Sequence, residues 1–582
     1  MGFAVLYCVS LPSTVQTLDT GEVVAAAWKL TLAHPPGYPL FVWLQHAFMK
    51  LCPWGSVFHR AALGNALCAL ATMALLLRIA RSWIAVALVA AVGTTSLVWR
   101  YAVLPDVFGL HLLLTMALVT FAFAGPSRLR VWGAAMAFGL GAANHQSIIF
   151  LLPLLLVVAL EEPSRARAGI ALAAGCAITV GLYASLLALD SASLSAWATL
   201  RGPADVVDHF LRRSYGTFQL SGYQTEADVS WVLGAFARAC GPFGVAAVVV
   251  IVAGGAQYAG TWKERGQRTW WLALACLIAY IAAFFPRMNS GAHALHDGVR
   301  ERFFLFPMIL LAALAVRVVV VSRRVPRAMT ALAGTMTLLT VVQVATSDAY
   351  GLREDTVVED YVRNLLDTAK STGKPALVLV ETDTQLFASY YLKAVESGYD
   401  DVTFFGMGNI FLVDRLEKMK ARWPAFVYDV KEIFEGDRRG VFRSFIAPNL
   451  EAFAVLSVVP VTNPSWRTTF YPLGRRIEPG MGVAIADAPV VIRPPVFRAD
   501  NKEYVETKEL FADYAVQHLA RGKALLAQGD AEGAKGAFLG GLMRVPYCIP
   551  CLKNFCTLDG QHDERCGQAL QDLQESEYHY LE

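Results

Sequence analysis

Long apolar runs recur from the N-terminus to about residue 346, and the sequence beyond that point has the mixed pattern of a globular protein. A membrane-spanning helix needs roughly 20 mainly apolar residues. About eleven runs predict such helices, at residues 1–14, 58–80, 83–99, 104–124, 131–145, 147–160, 168–189, 231–256, 269–286, 303–321 and 328–346. The stretch 131–160 is too long for one span and contains Asn144-His145-Gln146, so we expect two short helices that meet at a polar break.

The globular part predicts alternating helices and strands. A helical pattern covers Glu354–Ala369, and β-type apolar runs follow at Ala376–Glu381, Val402–Phe405, Phe426–Val430 and Phe453–Val459. The Pro- and Gly-rich stretch Trp466–Pro495 predicts a loop region. Residues 511–545 have the spacing of a tetratricopeptide-like helix–turn–helix unit, which must pack on another surface because one unit cannot bury its own face.

These patterns predict a polytopic α-helical membrane protein with a soluble extension. The expected domains are a transmembrane domain at 1–346, a soluble α/β domain at 347–500 and a tetratricopeptide-like helical tail at 501–582. Only 17% of the residues are charged, against roughly 25% in soluble proteins. The net charge is +3 and no Lys/Arg-rich block is present, so we expect no nucleic-acid partner.

Basic residues predict the orientation in the membrane. They cluster in alternate short loops, at Arg78 and Arg81, Arg128 and Arg130, Arg165 and Arg167, Lys263 to Arg268, and Arg323 to Arg327. By the positive-inside rule these loops are cytoplasmic. We therefore expect a multi-pass inner (plasma) membrane protein with its soluble region on the extracytoplasmic, periplasmic side. The first apolar run is short, which predicts a helix that enters the membrane part-way or a start site further upstream.

Two carboxylates follow the first apolar run, in Asp19-Thr-Gly-Glu22. Ionisable groups at a membrane boundary are candidates for function, and residues three apart share a face if the segment is helical. Gly21 between them leaves room for a close backbone approach. A structural explanation is equally open, with Asp19 as the N-cap of a helix and Glu22 closing a capping box.

Further polar groups lie on the same predicted side of the membrane. His34-Pro-Pro-Gly-Tyr38-Pro39 forbids helix and predicts a rigid turn that forms a wall of a site or a re-entrant turn. Asp106 lies at a helix start, where it can serve the site or the helix dipole. Asn144 and His145 lie at the predicted break, as site residues or as a satisfied polar interruption.

Arginines on the outer side are unusual, because positive charge normally stays in the cytoplasm. The outer loops contain Arg212, Arg213, Arg300 and Arg302. They either hold an anionic headgroup or lipid-linked phosphate, or form ordinary ion pairs with acids such as Glu301.

Four cysteines lie close together near the C-terminus, at positions 548, 551, 556 and 566. On the extracytoplasmic side, disulfides are favoured over a zinc site of four cysteines.

The motifs resemble a known family. Asp19-Thr-Gly-Glu22 with Ala33–Phe41, then Trp99–Phe108, Gly141–His145 and Arg300-Glu-Arg-Phe-Phe304, are similar in order and type to protein O-mannosyltransferases long labelled only as a domain of unknown function. These belong to the GT-C superfamily of polytopic membrane glycosyltransferases. The resemblance covers roughly residues 1–320, with Thr20 in place of an expected Ser and Asp106 in place of an expected Glu.

The resemblance implies an enzyme that transfers a sugar from a polyprenyl-phosphate-linked donor, with inversion, to a hydroxyl of a protein, lipid or glycan. Asp19 is then the general base and Glu22 its helper. The implied phosphate-binding residues are Arg300, Arg302 and Arg213, and the implied substrate residues are His34, Tyr38, Asp106, Asn144 and His145. No cofactor is required, and no metal ligands are assigned, although the chemistry is compatible with a divalent metal.

Two other functions remain open from the residues alone. A transporter or flippase of lipid-linked saccharide would also use acids and arginines, but it is expected to show inverted repeats and ionisable groups near the bilayer middle. A non-catalytic scaffold would need no such cluster of acids on one side.

Overall fold

A computed structural model describes residues 2–217, 228–258, 264–288, 294–321, 327–346, 348–406, 413–429, 445–461, 463, 465–487, 505–545, 548–558, 566 and 571. The chain divides into two compact units. The first comprises Met1–Ser13, Ala26–Ser191 and Ser195–Arg353, and the second comprises Thr14–Ala25, Ala192–Leu194 and Glu354–Glu582. The segment with Asp19 and Glu22 therefore belongs to the unit formed mainly by the C-terminal half.

The first unit is helical. Its helices are α1 Gly2–Val9, the end of α2 Thr20–Lys29, α3 Pro39–Leu51, α4 Val57–Ile79, α5 Trp83–Gly93, α6 Ser96–Val103, α7 Val107–Phe123, α8 Arg128–Ala142, α9 Leu152–Leu160, α10 Arg165–Ala184, α11 Pro203–Phe210, α12 Val229–Tyr258, α13 Arg265–Phe284, α14 Ala294–Glu301, α15 Leu305–Val321 and α16 Arg327–Thr346. Short 3₁₀ turns, among them Gln146–Leu151, connect several of them.

Five helical stretches in the described residues are long and apolar enough to cross a membrane: Val57–Ile79, Arg165–Ala188, Val229–Val252, Arg265–Arg287 and Gly298–Val321. The pair α5 and α6, bent by 66°, makes a sixth if it forms one span. These helices support a multi-pass membrane protein, and the count of about eleven spans stays a prediction. The stretch 131–160 forms two short helical segments, α8 and then Gln146–Leu160, as the polar break predicted.

Close backbone approach holds some of these helices together. A Cβ atom at Gly139 of α8 would lie 2.3 Å from the carbonyl oxygen of Gly175 in α10. Because lipid tails are as apolar as the side chains, membrane helices associate through such small-residue contacts and not through burial of apolar area. Helix α12 departs from helical geometry at Gly241, just before Pro242, where the missing amide and the proline ring interrupt the hydrogen-bond ladder.

The second unit is an α/β structure with a helical tail. Its helices are α17 Val357–Lys370, α18 Asp383–Val395, α19 Val413–Arg422, α20 Val505–Ala527, α21 Ala531–Arg544 and α22 Ile549–Leu558, together with the start of α2. Its strands are β1 Ala376–Val380, β2 Val402–Gly406, β3 Ala454–Ser457, β4 Trp466–Phe470, β5 Arg475–Pro479 and β6 Gly482–Ile485. They form one sheet in the order β2-β1-β3-β5-β4-β6, with β1 parallel to both of its neighbours.

The continuous apolar run of β1 reflects its place in this sheet. Every residue of Ala376–Val380 is buried, which is the pattern of a parallel strand covered on both faces. Alternate residues Leu377 and Leu379 enter a core that also contains Phe405, Phe426 and Val455. The predicted α/β layout is therefore present, with three of its predicted strands close to their expected positions.

Two expectations about the soluble part are wrong. Residues 426–429 of the predicted strand at Phe426–Val430 are not a strand, because the amide and carbonyl of Val427 bond to the Asn449 side chain at 2.9 and 2.7 Å. Val430 lies outside the described residues. The predicted loop region Trp466–Pro495 contains β4, β5 and β6, since its glycines lie in the turns, with Gly474 at φ 81° and Gly480 at φ 101°. Residues 488–495 of that region are also outside the described part.

The tail packs on the sheet domain. Helices α20 and α21 form a helical hairpin, and they pack together through Leu525, Ala534 and Phe538. Gln517 of α20 donates to the carbonyl of Val458 at 2.8 Å, so the hairpin buries one face against the second unit, as a single repeat unit requires. Its classification as tetratricopeptide-like stays a prediction. The four tail cysteines form two disulfides, Cys548–Cys551 and Cys556–Cys566, which agrees with the favoured alternative.

Candidate active site

The Asp19–Glu22 segment is fixed by contacts within the second unit. Gln16 donates to the carbonyl of Asp355 at 2.9 Å, and the amide of Leu18 donates to the hydroxyl of Thr384 at 3.0 Å. Leu18 itself has φ 61°, a left-handed conformation that is costly for a branched side chain and needs such external support. The residues before the carboxylates are thus tied to α18 and to the start of α17.

Asp19 directly precedes the first residue of α2, and Glu22 lies in the first turn. The carbonyl of Asp19 accepts the amide of Val23 at 3.0 Å, so the helix begins where the capping explanation places it. Asp19 is half-buried, whereas Glu22 is only 2% exposed. Gly21 between them touches the α18 backbone: a Cβ atom there would lie 2.5 Å from the carbonyl oxygen of Phe387.

The His34–Pro39 segment forms a tight turn in the first unit. The amide of Gly37 bonds to the carbonyl of His34 at 2.8 Å, Gly37 has φ 90°, and Tyr38 has φ 44°. The Tyr38 hydroxyl lies 3.0 Å from His34 Nε2, and the Trp197 ring packs 5.9 Å from that imidazole. The predicted rigid turn is therefore present and holds His34 and Tyr38 side by side, and its role as the wall of a site stays a prediction.

Asp106 is the N-cap of α7, because its Oδ1 accepts the amide of Val107 at 2.5 Å. Its Oδ2 lies 3.9 Å from Nη1 of Arg302, and both side chains are nearly buried. A buried Asn65 holds the chain just ahead of Asp106, since its amide group donates to the carbonyls of residues 101, 102 and 104 at 2.7, 3.2 and 2.7 Å. Asp106 therefore caps α7, and its role in a site stays a prediction.

The polar break between α8 and Gln146–Leu151 packs on the start of α7. The Asn144 side chain donates to the carbonyl of Val107 at 2.9 Å, which fixes the break. The His145 ring then lies among aromatic rings, with centroids 4.9 Å from Phe108, 6.0 Å from Phe303 and 6.4 Å from Tyr38, the last nearly parallel. At the break itself, the amides of Asn144 and His145 donate to the carbonyl of Gly141 at 3.0 and 2.8 Å, so these backbone groups are satisfied while the imidazole packs against the rings.

We call these rings the histidine cluster; its members are His34, Tyr38, Phe108, His111, His145 and Phe303. It brings together residues from four predicted motifs that are far apart in sequence. The cluster lies in the first unit, as do Asp106, Asn144 and Arg302. Asp19 and Glu22 belong to the second unit.

The three predicted phosphate-binding arginines have different surroundings. Arg302 lies beside Asp106, and Arg300 is only 1% exposed. Arg213 forms an ion pair with Asp208 at 2.6 Å, with 62% of the Arg213 side chain exposed. Arg212, the remaining arginine of those named in the outer loops, has φ 53°, and its guanidinium carbon lies 5.2 Å from the centre of the Tyr215 ring. Arg302 is therefore the arginine that the described contacts tie most directly to the other site residues.

Sequence reasoning did not assign several residues that the structure brings to this region. His111 and Phe108 lie in α7, which is apolar and largely buried, so nothing in the sequence distinguishes them from core residues. His209 lies 3.0 Å by Nε2 from the carbonyl of Ala33, and burial lowers the pKa of His209 to about 4, so it is neutral at physiological pH. Ser147 directly follows the polar break, and only its position next to Asn144, His145 and Gln146 could have pointed to it. Among the described residues, no group of three His, Cys, Asp or Glu side chains could hold a metal ion.

These observations describe a multi-pass helical membrane protein whose polar motifs meet around buried imidazole and aromatic rings. A family model described as the N-terminal domain of protein O-mannosyl-transferase TMEM260 matches residues 19–167. The matched range begins at Asp19 and includes every predicted site residue through His145. The resemblance to protein O-mannosyltransferases is thereby confirmed for this part of the chain.

Two curated relatives carry the same protein name as this family model. The chain is 30% identical over 480 residues to protein O-mannosyl-transferase TMEM260 of Mus musculus, which covers 75% of the chain and 65% of that protein. It is 22% identical over 352 residues to protein O-mannosyl-transferase tmem260 of Dictyostelium discoideum, covering 53% of the chain and 42% of that protein. The chain thus matches less than two thirds of the length of either relative.

Two solved structures are similar over most of the chain. ArnT from Cupriavidus metallidurans in the apo state has a TM-score of 0.49 at 12% identity, covering 78% of this chain and 90% of that one. The same protein bound to undecaprenyl phosphate has a TM-score of 0.46 at 13% identity, covering 71% and 89%.

Proposed function

We propose that the chain is a membrane glycosyltransferase of GT-C type. It transfers a sugar from a polyprenyl-phosphate-linked donor to a serine or threonine hydroxyl of a protein, on the extracytoplasmic face of the membrane. The observation that carries this proposal is the coincidence of the family match over 19–167 with the residues that meet at the histidine cluster. The name of the mouse relative supports mannose as the sugar and protein as the acceptor.

The reaction requires one proton transfer and one displacement. The acceptor oxygen attacks the anomeric carbon, the bond from that carbon to the phosphate oxygen breaks, and the acceptor proton passes to a base. Direct displacement inverts the anomeric configuration and leaves polyprenyl phosphate. Asp19 is the proposed base and Glu22 the residue that orients the acceptor, which is supported by the half-buried position of Asp19 at a helix start.

The departing phosphate needs positive charge at the moment its own negative charge grows. Arg302 is the principal proposed phosphate ligand, with Arg300 and Arg213 as further candidates. Its position beside Asp106 supports this role, since a carboxylate at 3.9 Å limits the orientations of a guanidinium without using all five of its N–H groups.

The cluster residues have the chemistry of a sugar site. Aromatic rings offer flat apolar faces, and the Tyr38 hydroxyl and the imidazoles of His34 and His145 offer hydrogen bonds to hydroxyl groups. Asn144 and Asp106 are proposed to hold the break and the α7 start in place beside them. No metal enters the proposed steps, and transfer in the presence of a chelator would test that expectation.

The test uses membranes that contain the full chain and a radiolabelled polyprenyl-phosphate-mannose. Asn caps a helix as well as Asp, and Gln fits the third position of a capping box as well as Glu. Asp19→Asn and Glu22→Gln therefore preserve the helix start and remove only the carboxylates. We expect Asp19→Asn to lower the transfer rate about 10²- to 10⁴-fold, the range for a lost general base.

Helix α21 provides matched controls. Its N-cap is Asp530, whose side chain accepts the amide of Gly533, and its first turn contains the exposed Glu532. Asp530→Asn and Glu532→Gln make the same chemical changes at another helix start and should leave transfer unchanged. If Asp19→Asn transfers sugar at the wild-type rate, Asp19 is not the base and the segment serves only as a helix cap. Absence of transfer by the wild-type chain, with flipping of the lipid-linked sugar instead, would favour the transporter.

A further inference from the structure

A hydrogen-bonded chain of three side chains in the first unit links two members of the histidine cluster through Ser147. The hydroxyl oxygen of Ser147 lies 2.8 Å from Nδ1 of His145 and 2.9 Å from Nε2 of His111. Ser147 and His111 are buried, with 6% and 0% exposure, and His145 is half-buried. The Ser147 hydroxyl thus bridges one ring nitrogen of each of two imidazoles whose ring centroids are 5.0 Å apart.

The backbone determines the direction of these bonds. The amide of Ser147 also donates to Nδ1 of His145, at 3.3 Å. An amide nitrogen can only donate, so Nδ1 of His145 must carry a lone pair and no proton. A neutral imidazole with a bare Nδ1 carries its proton on Nε2.

The remaining bonds follow from the same requirement. Because Nδ1 of His145 accepts, the Ser147 hydroxyl proton points to it, and the hydroxyl oxygen is left as an acceptor for the proton on Nε2 of His111. Nδ1 of His111 has no hydrogen-bond partner in the described part of the chain, which agrees with a bare nitrogen there. The chain therefore runs from His111 through Ser147 to His145.

The rings around His145 limit its rotation. Phe108, Tyr38 and Phe303 pack against it, and His111 stacks in turn on Phe306 at 5.6 Å and 21°. Within the described residues, no side chain or backbone group accepts a bond from Nε2 of His145. An N–H group held in one tautomer and one orientation, in a half-buried ring, is suited to a ligand oxygen.

We infer that Ser147 and His111 are positioning residues that hold His145 as a neutral Nε2–H donor for a sugar hydroxyl of the lipid-linked donor. This inference rests on the proposed function. A hydroxyl oxygen, and not the phosphate, is the expected acceptor, because an uncharged N–H group is matched to an uncharged oxygen while Arg302 supplies charge for the phosphate. Ser147 then acts on specificity for the sugar without contacting it.

The first test reads the tautomer directly. The full chain in lipid, labelled with ¹⁵N-histidine, is studied by solid-state NMR, and the His145 signals are identified by their loss in His145→Gln. The wild-type chain should show a protonated Nε2 and a bare Nδ1. Ser147→Ala removes the 2.8 Å hydroxyl bond to Nδ1 of His145 but keeps the amide bond at 3.3 Å, so the preference for a protonated Nε2 should weaken without reversing. His111→Phe, which keeps a ring on Phe306, should weaken the same preference to a smaller extent. A wild-type His145 protonated at Nδ1 would overturn the assignment.

The second test separates sugar from phosphate. Transfer kinetics are measured with polyprenyl-phosphate-mannose, and inhibition is measured with polyprenyl phosphate that lacks the sugar. Ser147→Ala should lower kcat/KM about 10-fold or more, the value of one oriented hydrogen bond, with unchanged inhibition by polyprenyl phosphate. His111→Gln, which keeps an N–H donor, should restore activity relative to His111→Phe.

The control is Ser185→Ala. Ser185 is a half-buried serine of the same unit that accepts from Trp43 at 2.9 Å and donates to the carbonyl of Leu182 at 2.6 Å, so its hydroxyl bonds within the described residues involve no histidine. It should have wild-type kinetics. Wild-type kcat/KM in Ser147→Ala would refute the positioning role, and equal loss of polyprenyl phosphate inhibition would refute the assignment to the sugar. A wild-type chain that transfers no sugar would refute the proposed function, and with it the donor role, whatever the tautomer of His145.

Discussion

Gly21 offers a direct test of how the Asp19–Glu22 segment is held. A Cβ atom at this position would lie 2.5 Å from the carbonyl oxygen of Phe387, 2.6 Å from its carbonyl carbon and 2.9 Å from the amide nitrogen of Ala388. These are backbone atoms inside α18, so they cannot rotate away as the end of a flexible side chain would. Gly21→Ala therefore forces the start of α2 and α18 apart.

Two opposing terms decide the sign. Replacing Gly by Ala in a helix is favourable by up to about 1 kcal/mol, and less in the first turn. Overpacking against fixed atoms costs about 1–3 kcal/mol, and contacts under 3 Å place this case at the upper end. We expect a net loss of about 2 kcal/mol, concentrated in the segment that carries Asp19.

The assay compares thermal unfolding in detergent micelles with hydrogen exchange of residues 14–25 and with sugar transfer. Gly21→Ala should lower the unfolding temperature, speed exchange in that segment and reduce transfer. Gly536→Ala in α21 is the matched control, since nothing lies within 4 Å of a Cβ atom there. It should be neutral or stabilising. A Gly21→Ala chain as stable as wild type, with unchanged exchange, would show that the contact of α2 with α18 is not as close as described.

Two further substitutions test buried polar groups. Burial raises the pKa of Asp513 from 3.8 to about 6, while Tyr361 and Gln385 donate to its carboxylate at 2.9 and 2.7 Å. The folded chain therefore binds this proton more tightly than the unfolded chain, which stabilises the fold in full below about pH 4. This stabilisation, up to about 3 kcal/mol, is lost as the pH rises through 6. Asp513→Asn keeps an acceptor oxygen, so its stability relative to wild type should rise between pH 4 and 7 in denaturant titrations; a flat difference would contradict the assigned pKa. Asn65→Ala removes the donor to three carbonyls and should lower the free energy of unfolding by about 3 kcal/mol. The control Asn554→Ala loses one bond and should lower it by less than about 1 kcal/mol. Equal melting temperatures of the two variants would refute this prediction.

Local pattern was sufficient wherever one short stretch determines its own geometry. The three prolines of His34–Pro39 predicted a fixed turn because each one limits φ without help from the fold. The polar residues after Ala143 predicted an interruption because apolar surroundings cannot satisfy them in a continuous lipid-facing helix. Asp106 was correctly placed at a helix start for the same local reason.

Local pattern failed where partners come from elsewhere. Phe426–Val430 is apolar and β-branched enough for a strand, but over its described residues the Asn449 side chain takes the bonds that a neighbouring strand would need. Trp466–Pro495 is rich in turn formers, yet strands fit between them once β3 provides an edge to pair with.

The sequence by itself determined the apolar helices, the turn at His34–Pro39, the polar break at Asn144 and the chemical types available for a site, because these depend on spacing and on the properties of single residues. Tertiary structure alone decided that His145 meets Tyr38, Phe108 and Phe303, that Ser147 links two imidazoles, and that residues 14–25 fold with the C-terminal half. Such contacts join positions tens to hundreds of residues apart, and no local preference of the chain specifies which distant atoms will fill the space around a given side chain.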